Sequence, residues 1–268
     1  MTTTFAIDKS LGGVRARELA ETYGTPLFVV DLDELDLEID RFVRACAPRG
    51  VGIAYAGKAF LCAAFAEHLA ATSLRLDVCS LGELVTAERG GFPSARMYFH
   101  GCGKTRDELN AIAERRVAFD VIDNREELER LAEAAHGART AGVEDPIEVM
   151  LRVNTGIEAH THAFVRTGGE NTKFGTPVDQ LPAMLARLDE LPQLRLIGLH
   201  AHVGSQIAEV ATFLTNLDEL LAAADRARAL GFPVAEIICG GGIGVEEGPD
   251  DPRPLDVETL AAGLAERA

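Results

Sequence analysis

Short apolar segments alternate with longer amphipathic segments along most of the chain. The apolar segments predict seven strands, at 51–56, 74–79, 96–100, 118–122, 147–153, 194–203 and 234–239. Apolar residues that recur every three or four positions predict helices between them, including Leu61–Thr72, Leu81–Gly90, Thr105–Arg115, Arg125–His136 and Val210–Leu230. Strands that are nearly all apolar and alternate with helices indicate a parallel sheet covered by helices on both faces.

Seven strand–helix units at this spacing favour a TIM-type (β/α)8 barrel over a doubly wound sheet. The final segment, 255–268, has a helical pattern with no strand after it, so the eighth strand is expected to be missing and two sheet edges to stay unpaired. Before the barrel, the segment 23–46 predicts a strand at Leu27–Val30 and then a helix. We therefore divide the chain into an N-terminal segment, 1–35, and an incomplete barrel domain, 36–268.

Composition narrows the class of partner. A net charge of −16 over 268 residues argues against nucleic acid or an anionic membrane surface, although a locally positive site can still hold an anionic cofactor. The sequence has no apolar run of roughly 20 residues and no secretory signal in MTTTFAIDKS. Its five cysteines are dispersed, without a C-x-x-C pair, which is typical of reduced thiols in a cytoplasmic protein.

Polar residues that could carry chemistry fall at the C-terminal ends of the predicted strands, where barrel enzymes place their active sites. They are Lys58, Asp77, His100, Arg152, His202 and the glycine run CGGGIG, 239–244. Each alone is more often structural, and only the combination favours a site. The stretch IAYAGKAF, 53–60, predicts a short buried strand followed by Lys58 among small and apolar residues, and lysine is rarely buried without a partner.

This set of residue types matches the needs of one cofactor. A desolvated lysine amine can form an imine with an aldehyde. The glycine run can present backbone N–H groups to a phosphate, the hydroxyl of Ser205 can donate to the same phosphate, and the flat ring of His202 can stack on an aromatic ring. Together these features predict pyridoxal 5′-phosphate as the cofactor.

A metal-dependent hydrolase is the rival interpretation. The pairs HTH, 160–162, and HAH, 200–202, place histidines at i and i+2, which share one face of a strand and could bind a metal. Metal-dependent barrel hydrolases are expected to carry such a pair on the first strand and a lysine near the fourth. Here the order is reversed, so no metal is predicted.

The ordered motifs resemble the diaminopimelate decarboxylase family, one of the alanine-racemase-like pyridoxal-phosphate enzymes. The resemblance runs from about Tyr23 to Gly244. Its motifs are YGTPLFVVD, AYAGKA, LDVCSLGEL, FHGCGKT, LRVNTGIEAHTH, TKFG, GLHAHVGSQI and CGGGIG. EAHTH and HVGSQ are more similar to the diaminopimelate branch than to the ornithine or arginine branches.

The resemblance implies a role for each site residue. Lys58 would form the Schiff base with pyridoxal phosphate and later reprotonate the product, while His202 would stack on the cofactor ring. Three residues would hold the phosphate: Ser205, Gly241 and Gly242. Three more would form a polar network around Lys58 and His202: Asp77, Glu83 and Arg152.

At the level of the whole protein, the resemblance implies decarboxylation of meso-2,6-diaminopimelate to L-lysine and carbon dioxide by a cytoplasmic homodimer. It also implies that residues 1–35 contribute to a separate β domain.

The chain also departs from the family pattern. Cys102 stands where the family usually has asparagine, and Thr155 where proline is common. The family's strand-eight Glu-Pro-Gly-Arg motif is absent from the sequence, as are the Cys-Glu-Ser motif and the tyrosine of the following β domain. Residues 1–268 alone are therefore expected to lack decarboxylase activity. Two alternatives stay open: a decarboxylase of another basic amino acid, ornithine or arginine, and a non-catalytic relative.

Overall fold

The structure, a computed structural model, describes residues 10–114, 116–140, 142, 145–157, 173–246 and 254–268. Near the N-terminus, β1 (Ser10–Leu11) and β2 (Val14–Arg15) form an antiparallel hairpin, and α1 (Ala16–Tyr23) follows. Neither the hairpin nor α1 was predicted from the sequence.

The remaining strands form one sheet in which every pair is parallel. They are β3 (Ala54–Ala56), β4 (Arg75–Val78), β5 (Met97–Phe99), β6 (Phe119–Ile122), β7 (Ile147–Asn154), β8 (Thr176–Pro177), β9 (Leu194–His200) and β10 (Glu236–Ile238). The order β3-β4-β5-β6-β7-β9-β10 follows the chain, with β8 paired only to β7. Sequential parallel pairing is the topology of a (β/α)8 barrel, so the predicted fold class is confirmed.

The sheet is curled. Arg75 on β4 forms an ion pair with Glu236 on β10, although four strands separate β4 from β10 in the sheet order. In the described ranges no strand pairs β10 with β3, so these two strands are the edges of the sheet. The seven predicted strands lie where they were expected, but most are shorter at their ends than predicted.

Helices cover the outside of the sheet. They are α2 (Leu32–Cys46), α3 (Ala63–Ala70), α4 (Leu81–Arg89), α5 (Arg106–Ala113), α6 (Arg125–Thr140), α7 (Leu181–Asp189), α8 (Val210–Ala229) and α9 (Val257–Ala265). Side chains cap several N-termini; Thr105 and Glu108, for example, form a capping box at α5. Helix α9 packs against α2 and α8, so it covers the outside of the gap between β10 and β3.

Side-chain alternation along the strands separates two apolar layers. Met97 and Phe99 face the helices, whereas Tyr98 lies in an interior cluster with residues from four other strands. The rings of Tyr98 and Phe119 stack in that cluster with centroids 4.9 Å apart. By the same period of two, the residues that point inward near the strand ends are polar. They are Asp77, His100, Arg152 and His200.

Two local predictions were wrong. Leu27–Val30 forms no strand, and its Phe28 side chain is 95% exposed, because this segment has no neighbouring strand in the described chain to complete its hydrogen bonds. The stretch 53–56 is not a fully buried strand: β3 has only β4 beside it, so Ala54 is exposed and Tyr55 is half-buried.

A buried charge cluster joins β6 to α6. The Lys104 ammonium donates to Glu127 Oε1 at 2.5 Å and to the Val121 carbonyl at 2.9 Å, and its Nζ lies 3.2 Å from Asp120 Oδ1. All three charged side chains are at most 3% exposed. Burial raises the pKa of Glu127 to about 8, and the Asp120 charge adds to this rise. Lys104 acts in the opposite direction, but it is one cation facing two carboxylates.

This raised pKa predicts a pH-dependent stability. The folded pKa of Glu127, about 8, lies above the ordinary value of 4.5, so the native state keeps a proton that the unfolded chain releases between these values. The contribution of Glu127 to the free energy of unfolding is therefore fully present below pH 4.5, and it is lost as the pH rises through 8. Urea unfolding at several pH values should show that Glu127→Gln reduces this loss by at least about 1 kcal/mol. Glu133→Gln, at an exposed position of α6, is the control and should leave the pH dependence unchanged.

Candidate active site

Lys58 lies in the turn that follows β3, at the C-terminal end of the barrel. Backbone hydrogen bonds hold this turn: Ala59 N–H donates to the Ala56 carbonyl at 3.0 Å, and Gly57 N–H donates to the Asp77 carbonyl at 2.8 Å. The Lys58 residue is exposed, which corrects the expectation of a buried lysine, because it follows an edge strand. Its amine is therefore open to a ligand at the barrel mouth.

The Asp77 backbone carbonyl and the Glu83 carboxylate lie beside this turn. A Cβ on Gly57 would come within 3.1 Å of the Asp77 carbonyl oxygen and 3.2 Å of Glu83 Oε2, so glycine permits this close approach. Glu83 lies in the first turn of α4, and its Oε2 accepts a hydrogen bond from the Cys79 N–H at 3.0 Å. Burial and the Glu83 charge raise the pKa of Cys79 to about 12, so this thiol stays protonated and is not a nucleophile.

Two histidines lie deeper in the barrel. The rings of His100 and His200 are 4.9 Å apart, and His100 Nδ1 lies 3.5 Å from Asp77 Oδ2. Burial, aided by the charges of His100 and Arg152, holds the pKa of His200 well below its ordinary value. Asp77 Oδ1, both His100 ring nitrogens and His200 Nδ1 are buried with no hydrogen-bond partner among the described residues. Buried polar atoms are normally paired, so this part of the barrel suits polar groups of a ligand or water.

Arg152 is held from two sides. Its Nη1 lies 3.0 Å from Asp123 Oδ1 in a buried ion pair, and its guanidinium lies 4.7 Å from the centre of the Phe174 ring. Asp123 also accepts the Gly175 N–H at 3.2 Å. Sequence reasoning missed Asp123 and Phe174 as site residues and considered His200 only as a possible metal ligand. The available signal was position: Asp123 directly follows β6, and His200 ends β9.

His202 lies beyond the end of β9, which stops at His200 and is three residues shorter than the predicted 194–203 strand. The two histidines of HAH are therefore not on one strand. Burial, followed by the charges of Lys58 and Arg152, lowers the pKa of His202 to about 3, so the imidazole is neutral at neutral pH. A Cβ on Gly240 would lie 2.9 Å from His202 Nδ1, so glycine at this position leaves room for the ring.

The loops after β9 and β10 run side by side. Ile207 N–H donates to the Gly242 carbonyl at 2.9 Å, and Gly244 N–H donates to the Ile207 carbonyl at 2.9 Å. Gly242 has φ +98°, and a Cβ there would come within 2.0 Å of the Gly204 carbonyl oxygen. Ser205 lies in the same pair of loops, and Gly241 is exposed. We call these two loops, 204–207 and 240–244, the glycine cradle. Their backbone and small side chains leave space for a phosphate group, which larger side chains would fill.

Gly242→Ala tests the cradle. The left-handed backbone and the contact with Gly204 make any Cβ at 242 displace the loop, so we expect the affinity for pyridoxal phosphate to fall at least about tenfold. Titration with the cofactor, followed by absorbance, measures this loss. Gly52→Ala is the control, because a Cβ there meets nothing within 4 Å, and unchanged affinity in Gly242→Ala would contradict the cradle.

The structure therefore brings all eight predicted site residues to the C-terminal end of the barrel. They are Lys58, Asp77, Glu83, Arg152, His202, Ser205, Gly241 and Gly242. His160 and His162 of the HTH pair lie outside the described residues. Among the helices that the structure describes, none is long and apolar enough to cross a membrane.

A parallel barrel with a lysine, a polar interior and a glycine cradle at its C-terminal end belongs to the class of α/β-barrel proteins suited to a phosphate-bearing cofactor. The comparison with known families is more specific. Residues 32–267 match the family described as "Pyridoxal-dependent decarboxylase, pyridoxal binding domain", and the chain belongs to this family.

Individual relatives agree with this assignment. Diaminopimelate decarboxylase of Mycobacterium leprae (strain TN) is 38% identical over 263 residues, which are 95% of this chain and 54% of the relative. That of Bacillus subtilis (strain 168) is 36% identical over 267 residues, 96% of this chain and 60% of the relative. The crystal structure of diaminopimelate decarboxylase from Helicobacter pylori complexed with L-lysine superposes with a TM-score of 0.85 at 25% identity, covering 94% of this chain and 62% of that one. The chain thus spans little more than half the length of these relatives.

Proposed function

We propose that this protein is a pyridoxal-phosphate-dependent decarboxylase that converts meso-2,6-diaminopimelate to L-lysine and carbon dioxide. The observation that carries the proposal is the arrangement at the barrel mouth: the open Lys58 beside Asp77 and Glu83, with the neutral His202 and the glycine cradle on the β9 and β10 loops. Membership of a pyridoxal-binding family supports the cofactor. The names of the curated relatives support diaminopimelate as the substrate.

The residues of the chain have distinct tasks in this proposal. Pyridoxal phosphate, when bound, supplies the electron sink that lets a carboxylate leave as carbon dioxide. Lys58 would hold its aldehyde carbon covalently and later return a proton to the product. His202 would stack on its ring, and a neutral imidazole there adds no charge against Lys58 or Arg152. Ser205, Gly241 and Gly242 would bind its phosphate.

The remaining polar residues would orient this set. The Glu83 carboxylate and the Asp77 backbone carbonyl flank the Lys58 turn, so both residues help to fix its position. The buried ion pair with Asp123 fixes the Arg152 guanidinium in the site.

Two further proposals concern the whole protein. The resemblance supports a cytoplasmic homodimer, and the five free cysteines fit a reducing compartment. Residues 1–35 are proposed to join the β domain that the family carries. The exposed apolar side chains of Phe28 and its neighbours support this, because they would otherwise face water.

The experiment measures carbon dioxide and L-lysine released by the full-length protein from meso-2,6-diaminopimelate, with ornithine and arginine as competing substrates. We expect turnover of diaminopimelate to exceed that of the other two by at least tenfold. Equal or faster turnover of ornithine or arginine would move the protein to the polyamine branch. Tight binding of pyridoxal phosphate without turnover of any of the three would support a non-catalytic relative instead.

A further inference from the structure

Helix α8 carries a polar side chain on its buried face. Asn216 is fully buried, whereas its neighbours on that face, Phe213, Leu217 and Leu220, are apolar. A buried amide lowers stability unless its hydrogen bonds are satisfied, and leucine would fit this apolar face without that requirement. Packing alone therefore does not explain an asparagine here.

The Asn216 amide connects two loops of the barrel mouth. Its Nδ2 donates to the Cys239 carbonyl at 3.1 Å, and its Oδ1 accepts the Thr155 hydroxyl at 2.8 Å. Thr155 follows β7 and Cys239 follows β10, so one side chain on the outer helix joins the ends of two strands. The Cys239 carbonyl can only accept, so Nδ2 must face it and Oδ1 must face Thr155, which then donates. The three groups thus specify one orientation of the amide.

The bonded carbonyl belongs to the peptide group that opens the glycine cradle. Gly240 follows Cys239 with φ +76° and packs against His202, and Gly242 has φ +98°. Successive glycines leave a loop backbone many accessible conformations, and they have no side chains with which to anchor it. A hydrogen bond from the rigid helix at Cys239 restrains the first peptide group of this loop.

We propose that Thr155 and Asn216 are positioning residues that hold the 239–244 loop in its phosphate-binding conformation. The identification of a phosphate as the ligand of this loop rests on the proposed function. The restraint that Asn216 places on the loop does not depend on that function. The pair also gives a physical reason for threonine at 155, where the resembling family commonly has proline: proline has no hydroxyl with which to orient the amide.

The first arm of the test needs no ligand. In Asn216→Leu, NMR hydrogen exchange of the Ile207 and Gly244 amides, which bond across the two loops, should become at least about tenfold faster. Thr155→Val should also make the exchange of these amides faster. Thr155→Ser keeps the hydroxyl, so its exchange rates should equal those of the wild type. The double variant Thr155→Val/Asn216→Leu should exchange no faster than Asn216→Leu alone.

The second arm measures the dissociation constant of pyridoxal phosphate in the same variants. We expect the dissociation constant to rise at least about tenfold in Asn216→Leu and to stay at the wild-type value in Thr155→Ser. Leu185→Ala, at a buried apolar position of α7, controls for a general loss of stability and should leave both readouts near wild type. Unchanged exchange and affinity in Asn216→Leu would overturn the inference. If the wild type failed to bind pyridoxal phosphate, the proposed function would fall, and the exchange arm alone would still decide the loop restraint.

Discussion

Lys58→Arg is expected to abolish decarboxylation by the full-length protein while leaving its fold intact. A guanidinium stays protonated and cannot act as the amine that links to an aldehyde. The exposed position after an edge strand gives the longer side chain room, so no packing change accompanies the substitution. We expect the rate to fall at least about a thousandfold, because covalent catalysis contributes several powers of ten.

The measurement is the initial rate of carbon dioxide release, with circular dichroism to confirm folding. Arg195→Lys is the control, since Arg195 is exposed near the start of β9, away from the proposed site, and the rate of this variant should stay near wild type. A Lys58→Arg variant that retained more than a tenth of the wild-type rate would remove Lys58 from the chemistry.

Lys104→Met is expected to cause the largest loss of stability. The substitution leaves Asp120 and Glu127 buried without their cation, and removing one partner of a buried ion pair typically lowers the free energy of unfolding by about 3–5 kcal/mol. Urea unfolding at pH 7 measures this loss. A second substitution, Asp120→Asn, should recover part of it by removing a carboxylate that has lost its cation.

Arg195→Met serves as the control for Lys104→Met. Arg195 pairs with Glu148 on the surface, where its side chain is 59% exposed, so the loss should be about 1 kcal/mol or less. Equal losses for the two variants would show that burial of the Lys104 cluster does not determine its effect.

The barrel could be predicted from the sequence because its strands are continuous apolar runs separated by amphipathic helices. Parallel strands place their C-terminal ends at one face, so the order of the strands alone groups Lys58, Asp77, Arg152 and His202. Strand lengths were less predictable. The apolar run 194–203 continues beyond the last ladder hydrogen bonds of β9, and hydrophobicity alone does not mark where pairing stops.

Features that depend on neighbours in space could not be predicted. The sequence around Lys58 is apolar, yet the residue is exposed, because β3 has a partner on one side only. Leu27–Val30 has the composition of a strand but no adjacent strand in the described chain. Asp123 pairs with Arg152, 29 positions away, and Asn216 bonds to Cys239, 23 positions away. No local sequence motif predicts such distant partners.

The central claim is that Lys58 is the residue that links to pyridoxal phosphate. The most direct test is borohydride reduction of the protein with bound cofactor, followed by peptide mapping by mass spectrometry. The sequence has only three other lysines, Lys9, Lys104 and Lys173, so the assignment is unambiguous. We expect the pyridoxyl mass on the peptide that contains Lys58 and its loss in Lys58→Ala. Label on another lysine, or label spread over several and unchanged in Lys58→Ala, would contradict the claim.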